Sequence, residues 1–211
     1  MRKIIQYILL LATLPSIMLQ AQENNLVLLF NTGISIPSTP DRFSNNWQTG
    51  LNGGIGIGYQ TSTHSQVIFH FDYYYHKFDK DSYLKKIAKG SSNFGIEGAS
   101  LSIITASINL RLIPFPSATV APYLIVGIGY MNISQNNITL SLLNETTTIE
   151  FESFGALMAV GGAGVNISIS KSLVIFAEAN YVEGESLGED SRSWGKNTVF
   201  IPIKLGLIIK L

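Results

Sequence analysis

The last thirteen residues, Val199 to Leu211, alternate between two kinds of surface. One face reads Val199, Ile201, Ile203, Leu205, Leu207, Ile209, Leu211; the other reads Phe200, Pro202, Lys204, Gly206, Ile208, Lys210. Successive side chains of a strand point to opposite faces, so this segment turns an unbroken aliphatic row to one side and two lysines to the other. A soluble sheet can bury such a face on a core. A strand with lipid on one side and a polar lumen on the other carries the same pattern. In lipid the sheet must also close on itself, because an unpaired backbone edge finds no water there.

Seven earlier segments repeat the alternation. Leu26 to Ile36 sets Leu28, Phe30, Ile34 and Ile36 against Asn31, Gly33 and Ser35. Thr49 to Gln60 sets Leu51, Ile55, Ile57 and Tyr59 against Asn52, Gly54, Gly56 and Gly58. Gln66 to His76 sets Val67, Phe69, Phe71, Tyr73 and Tyr75 against His70, Asp72, Tyr74 and His76. Ser100 to Leu112 sets Ile104, Ala106, Ile108 and Leu110 against Thr105, Ser107, Asn109 and Arg111. A fifth segment begins near Ala121, with Leu124, Val126, Ile128 and Tyr130 opposite Tyr123, Gly127 and Gly129. Gly155 to Ser168 and Ser172 to Val182 complete the set; the first turns Gly162, Gly164 and Asn166 inward, the second Glu178 and Asn180. A tilted membrane strand needs roughly 9 to 11 residues, and these segments supply them.

The connections discriminate between a soluble sheet and a membrane barrel. Thr61 to Ser65, Ile113 to Val120 and Ile169 to Lys171 are short. Pro37 to Gln48, Lys77 to Ala99, Asn132 to Ser153 and Glu183 to Thr198 are long and polar. Short turns alternating with long loops place all the long loops on one rim, the asymmetry of bacterial outer-membrane barrels. A sandwich has no reason to sort its loops by parity. Tyr59, Tyr73, Tyr75, Tyr130 and Tyr181 lie outward near segment ends, where amphipathic rings suit the headgroup level.

Composition supports the barrel. Only 13% of residues are charged, and mean hydropathy is +0.26, yet no mature stretch approaches the roughly 20 apolar residues of a membrane helix. The N-terminus carries Arg2 and Lys3, then the largely apolar Ile4 to Leu19, then Gln20-Ala21-Gln22 with a small residue for cleavage. That is the pattern of a secretory signal peptide over residues 1–21, with residues 22–211 as the mature domain. The leader removes two of 14 basic residues and none of 14 acidic ones, leaving a net charge of −2, no footprint for nucleic acid. With no cysteine, disulfides, thiolate metal sites and a cysteine-borne lipid are excluded.

Two loops have internal organisation. Ile138 to Leu143 and Thr147 to Phe151 alternate on either side of Asn144-Glu145, predicting that the fifth and sixth strands run on beyond the membrane as a hairpin. Asp81 to Lys89, ahead of Gly90, reads as a short helix capped by Ser82 with Tyr83, Leu84 and Ile87 on one face.

The ionisable residues gather on the inward face: His70, Asp72, Arg111, Glu178, Lys204 and Lys210. Glu178 and Lys204 fall near mid-depth, and a hairpin centred on the last long loop makes them cross-strand neighbours. They read either as an ion pair bracing a narrow barrel or as a polar gate on a conduction path. His70 and His76 are about 20 Å apart along one strand face, too far to share an ion. Neither a catalytic constellation, a cofactor site nor a metal site emerges. Gly54-x-Gly56-x-Gly58 has strand periodicity and no following lysine or helix, so it reads as space-making inside the barrel and not as a phosphate loop.

Three stretches carry a resemblance: Asn31-Thr32-Gly33-Ile34-Ser35-Ile36-Pro37, Gly53-Gly54-Ile55-Gly56-Ile57-Gly58-Tyr59 and Pro202-Ile203-Lys204-Leu205-Gly206-Leu207. With the leader, they make the chain resemble the small outer-membrane β-barrel family of Gram-negative bacteria, the OmpA- and OmpX-like eight-stranded barrels. The resemblance implies an all-β, antiparallel up-and-down transmembrane barrel in the outer membrane, without a cofactor. It implies outer-membrane lipid and the barrel-insertion machinery as partners, surface ligands at the long loops, and a monomer. Its first functional implication is a non-enzymatic structural or cell-surface role. The alternatives are a lipid A-modifying enzyme, which needs Ser, His and acid at the outer rim where only His76 and Asp79 fall, a narrow pore, or a secretion-assembly component.

Overall fold

The computed structural model describes residues 25–87, 94–97, 100–142, 145–149, 153–186 and 197–211; the proposed leader lies outside them. Eight long strands close into an antiparallel barrel: β1 (Leu26–Thr39), β2 (Gly50–Ser62), β3 (Ser65–Lys77), β5 (Ser100–Leu112), β6 (Val120–Gln135), β9 (Phe154–Ser168), β10 (Leu173–Ser186) and β11 (Asn197–Lys210). Each pairs with its neighbour in sequence, and β1 pairs with β11 to shut the wall, Val27 opposite Lys210 and Ile36 opposite Ile201. The eight alternating segments become these strands, most of them extended by one to four residues at the long-loop end.

Period-two patterning decides which side faces out. Phe30, Ile34, Leu51, Ile55, Phe69, Phe71, Ile108, Val126, Ile128, Leu205 and Leu207 are all exposed, while their chain neighbours on the other face are buried or, at the glycines, half-buried. Such a belt around a closed barrel is a lipid-facing surface, and the barrel is of the outer-membrane type. Tyr59, Tyr73, Tyr130 and Tyr181 are exposed on the same side. Val199 departs from the sequence reading: it is buried at the outer end of β11, opposite Thr39, where β1 shifts register.

The long-loop end is more ordered than polar composition predicts. Between β1 and β2 lies α1 (Asp41–Asn46), which carries Phe43 into the barrel mouth. Phe43 and Trp47 are four residues apart, the helical spacing that puts two side chains on one face; both are buried with Phe78 and Tyr74. Trp47 meets Phe78 edge-on at 5.4 Å, and Asp79 N–H donates to the Asn46 carbonyl at 2.7 Å.

The helix after β3, α2 (Lys80–Ile87), begins one residue earlier than its sequence signals imply. Its cap is Asp79, not Ser82: Oδ1 accepts the Ser82 N–H at 3.0 Å, and Oδ2 accepts the Ser82 hydroxyl at 2.8 Å. A carboxylate one residue before the first helical position satisfies a free N–H that a serine two residues inside cannot reach.

The expected hairpin exists but does not prolong the barrel strands. β7 (Ile138–Leu142) and β8 (Glu145–Ile149) pair with Leu142 opposite Glu145, one position earlier than the sequence reading. β4 (Phe94–Glu97) adds to β7 from the preceding loop, making a separate three-stranded sheet. A third strand gives the hairpin the edge pairing it lacks alone.

Candidate functional site

On three strands an ionisable residue lies between apolar ones farther along the inward face. On β3 Asp72 lies between Ile68 and Tyr74; on β10 Glu178 lies between Phe176 and Val182; on β11 Lys204 lies between Ile208 and Phe200. The lumen is therefore layered. Val27, Leu29, Ile68, Ile113, Tyr123, Val174, Phe176 and Ile208 pack at the short-turn end. Phe43, Trp47, Tyr74, Leu101, Ile103, Met131, Ile133 and Phe200 pack at the long-loop end.

Two ion pairs cross the middle layer. Lys204 Nζ lies 2.8 Å from Asp72 Oδ2, and Arg111 Nη2 lies 3.0 Å from Glu178 Oε2. Asp72 on β3 and Lys204 on β11 are separated around the wall by β1 and β2; Arg111 on β5 and Glu178 on β10 are separated by β6 and β9. Each pair thus spans the lumen as a chord. Glu178 does stand opposite Lys204 in the β10–β11 ladder, as sequence reasoning expects, but their charged ends bond elsewhere. Long side chains in a narrow barrel reach across it as readily as sideways, and the two carboxylates find further hydrogen bonds there.

Those further bonds complete the network. Asp72 Oδ1 accepts from Asn31 Nδ2 at 2.8 Å. Glu178 accepts from Tyr123 Oη at 2.9 Å and from Asn180 Nδ2 at 2.6 Å. The Arg111 guanidinium stacks on Tyr123, 4.1 Å from the ring centroid. Burying charge costs free energy unless it is paired and its lone pairs are used, and both carboxylates meet that condition.

Glycine makes these bonds possible. Asn31, Gly54 and Asp72 are successive partners across β1, β2 and β3, and a β-carbon on Gly54 would collide with the Asp72 carboxylate. Tyr123, Gly164 and Glu178 repeat the arrangement across β6, β9 and β10, and a β-carbon on Gly164 would enter the Tyr123 ring. In each case the middle strand omits its side chain so that the flanking ones touch over it.

His70 is buried beside both pairs, and neither ring nitrogen has a protein hydrogen-bond partner. With Asp72, Ser107, Asn109, Glu178 and Lys204 it lines a cavity of about 10 Å³, the room of about one water molecule. The sequence-predicted residues therefore divide: Asp72 with Lys204, Arg111 with Glu178, and His70 between them. Sequence reasoning missed Asn31 and Tyr123 as partners; the available signal was a glycine at the facing position of the intervening strand.

No protein-family model matches the sequence, and no curated protein matches it. Solved structures do match. Neisserial surface protein A is 13% identical, with 88% of this chain and 97% of that chain covered and a TM-score of 0.53. Ail, the attachment invasion locus protein of Yersinia pestis, is 12% identical, with 90% and 100% covered and a TM-score of 0.50. The fold is that of the eight-stranded outer-membrane barrels.

At the outer rim of this outer-membrane barrel, the two groups that acyl-transfer or hydrolytic chemistry would draw on, His76 and Asp79, are engaged within the structure. His76 is buried under Phe43, whose ring lies 5.4 Å away edge-on, and His76 Nδ1 lies 3.1 Å from the Gln48 carbonyl. The Asp79 carboxylate is occupied as the α2 cap. Asp79 reaches a serine hydroxyl, that of Ser82, as part of the helix cap, while His76 turns to the Gln48 carbonyl, so the two do not converge on one serine. Among the described residues no group of three or more histidine, cysteine or acidic side chains gathers at metal-binding distance.

Proposed function

We propose that residues 1–21 are a cleaved signal peptide and that residues 22–211 form a non-enzymatic outer-membrane barrel acting through its structure and its long-loop end. The observation that carries the reading is the filled lumen: an aromatic plug, two crossing ion pairs and an inner apolar cluster occupy successive layers. Side chains nearly fill an eight-stranded interior, and here, among the described residues, an apolar cluster lies on each side of the ion-pair layer, which opposes passage of an ion or solute. The remaining working surfaces are the lipid-facing wall and the long-loop end. At the latter, α1 packs against β1 and α2, and β4, β7 and β8 form a sheet of their own; these are the elements offered to a surface ligand.

The barrel's partners on this reading are outer-membrane lipid, the insertion machinery and ligands of the loop platform, with the chain acting as a monomer. The runner-up readings, a lipid A-modifying enzyme and a narrow pore, are opposed by the buried His76 and the filled lumen. Mass profiles of lipid A from cells lacking and re-expressing the protein separate enzyme from non-enzyme. The proposal expects identical profiles; an acyl chain or sugar gained or lost with the protein would refute it.

A further inference from the structure

The β10–β11 seam of the wall is interrupted where Asn180 faces Pro202. Nearer the short turns, the Lys210 N–H donates to the Ser172 carbonyl across this seam at 2.9 Å. Hydrogen-bonded rungs of an antiparallel ladder recur at every second residue, so Asn180 and Pro202 meet at a rung that should exchange two bonds. Pro202 has no N–H to give the Asn180 carbonyl. The ladder accordingly runs from Leu173–Ile209 to Ala179–Ile203, skips Asn180–Pro202 and Tyr181–Ile201, and resumes in the same register at Val182–Phe200. Both strands are continuous here on their other sides: Asn180 and Tyr181 pair with Gly162 and Gly161 on β9, and Pro202 pairs with Ser35 on β1. A proline in a sheet normally takes an edge, which a closed barrel lacks, and in lipid no water replaces the lost bond.

The interruption isolates the outer end of β11. Beyond Pro202 the same parity leaves two hydrogen-bonded rungs to β10, Phe200–Val182 and Thr198–Gly184. Toward β1 the regular pairing stops at Pro37–Phe200, where the register shifts before Thr39–Val199. The segment is thus weakly tied on both sides. It carries Phe200, fully buried in the mouth, whose ring meets Tyr74 edge-on at 4.9 Å. The Lys204 ammonium lies over the Tyr74 ring, 5.9 Å from its centroid. Behind the interruption, Asn180, Val182 and Lys204 line the cavity of the ion-pair layer. We propose that residues 197–201 are a flap hinged at Pro202, which swings Phe200 out of the mouth and opens the ion-pair cavity to water from the long-loop end. Edge-to-face packing of Phe200 on Tyr74 holds the flap shut. The inner apolar cluster contains no residue of the flap, so opening wets the middle layer without making a pore.

The test is hydrogen exchange of the full barrel in lipid nanodiscs. The Phe200 and Thr198 amides should exchange at one common rate, as a single opening unit. That rate should be at least about tenfold faster than at Ala159 and Leu157, which lie at the same height on the β9–β10 seam. Pro202→Val restores the N–H and should slow Phe200 and Thr198 by about three- to tenfold, leaving Ala159 and Leu157 unchanged. Val182→Cys, buried opposite Phe200, should react with a small thiol reagent as the flap opens, and adding Pro202→Val should slow that labelling in proportion. Backbone amide dispersion reports whether each variant keeps the barrel; should Pro202→Val lose it, Pro202→Ala takes its place. Equal protection on the two seams of the wild-type protein, exchange at Phe200 and Thr198 unmoved by Pro202→Val, or unchanged labelling of the Val182→Cys thiol would each overturn the flap.

Discussion

Lys204→Met removes one charge from the lumen and leaves Asp72, 3% exposed, with only Asn31 to satisfy it. At the observed 2.8 Å between Lys204 Nζ and Asp72 Oδ2, the gross attraction at an effective dielectric of 20 is about 6 kcal/mol. The net contribution is smaller, because both ions gave up hydration to enter the barrel. Stranding one buried partner costs about 3–5 kcal/mol, whereas replacing both by neutral groups of similar size is often nearly neutral. We therefore expect Lys204→Met to destabilise by about 3–5 kcal/mol, and Asp72→Asn with Lys204→Met to restore about 2–3 kcal/mol of that loss. Urea unfolding in lipid vesicles measures all four corners of the cycle. The companion cycle, Lys204→Met with Glu178→Gln, should show a coupling under about 1 kcal/mol despite the ladder contact between these residues. A Lys204–Asp72 coupling below about 0.5 kcal/mol, or a larger coupling between Lys204 and Glu178, would refute the chord arrangement.

Other substitutions probe other layers. Gly164→Val should cost about 1–3 kcal/mol by overpacking against Tyr123, while Gly161→Ala, whose added carbon meets nothing within 4 Å, should stay within about 0.5 kcal/mol of wild type; the same urea assay compares them. Phe43→Ala should release α1 from the mouth, read as faster amide exchange at Trp47 and Gln48 with the barrel strands unchanged. Because the chain has no cysteine, Thr147→Cys, at an exposed position of β8, should be labelled by an impermeant maleimide on intact cells. Lys171→Cys in a short turn should label only after lysis, and the opposite pattern would invert the topology.

Strand positions, facing and the sorting of loop lengths were legible because each rests on local period-two patterning, which lipid on one side and a narrow lumen on the other both enforce. The same periodicity identified Asp72, His70, Arg111, Glu178 and Lys204 as inward. It did not reveal which charges meet. Ladder arithmetic relates adjacent strands only, and the observed pairs join strands three apart around the wall, where the outcome depends on side-chain reach and on the glycines that clear the way. Ser82 was misassigned as a cap because Asp79 and Ser82 both carry capping chemistry, and the choice depends on where the backbone leaves β3. The plug at the mouth was overlooked because Phe43 and Trp47 sit in an otherwise polar loop, and two apolar residues at helical spacing are a weak signal in isolation.

Ion conductance of the purified barrel in planar lipid bilayers tests the central claim most directly. A lumen closed by an aromatic plug, crossed by two ion pairs and packed with apolar side chains toward the short turns should give no discrete current steps above the bare membrane. Steady open-channel steps from the wild-type protein, abolished by enlarging side chains around His70, would contradict it.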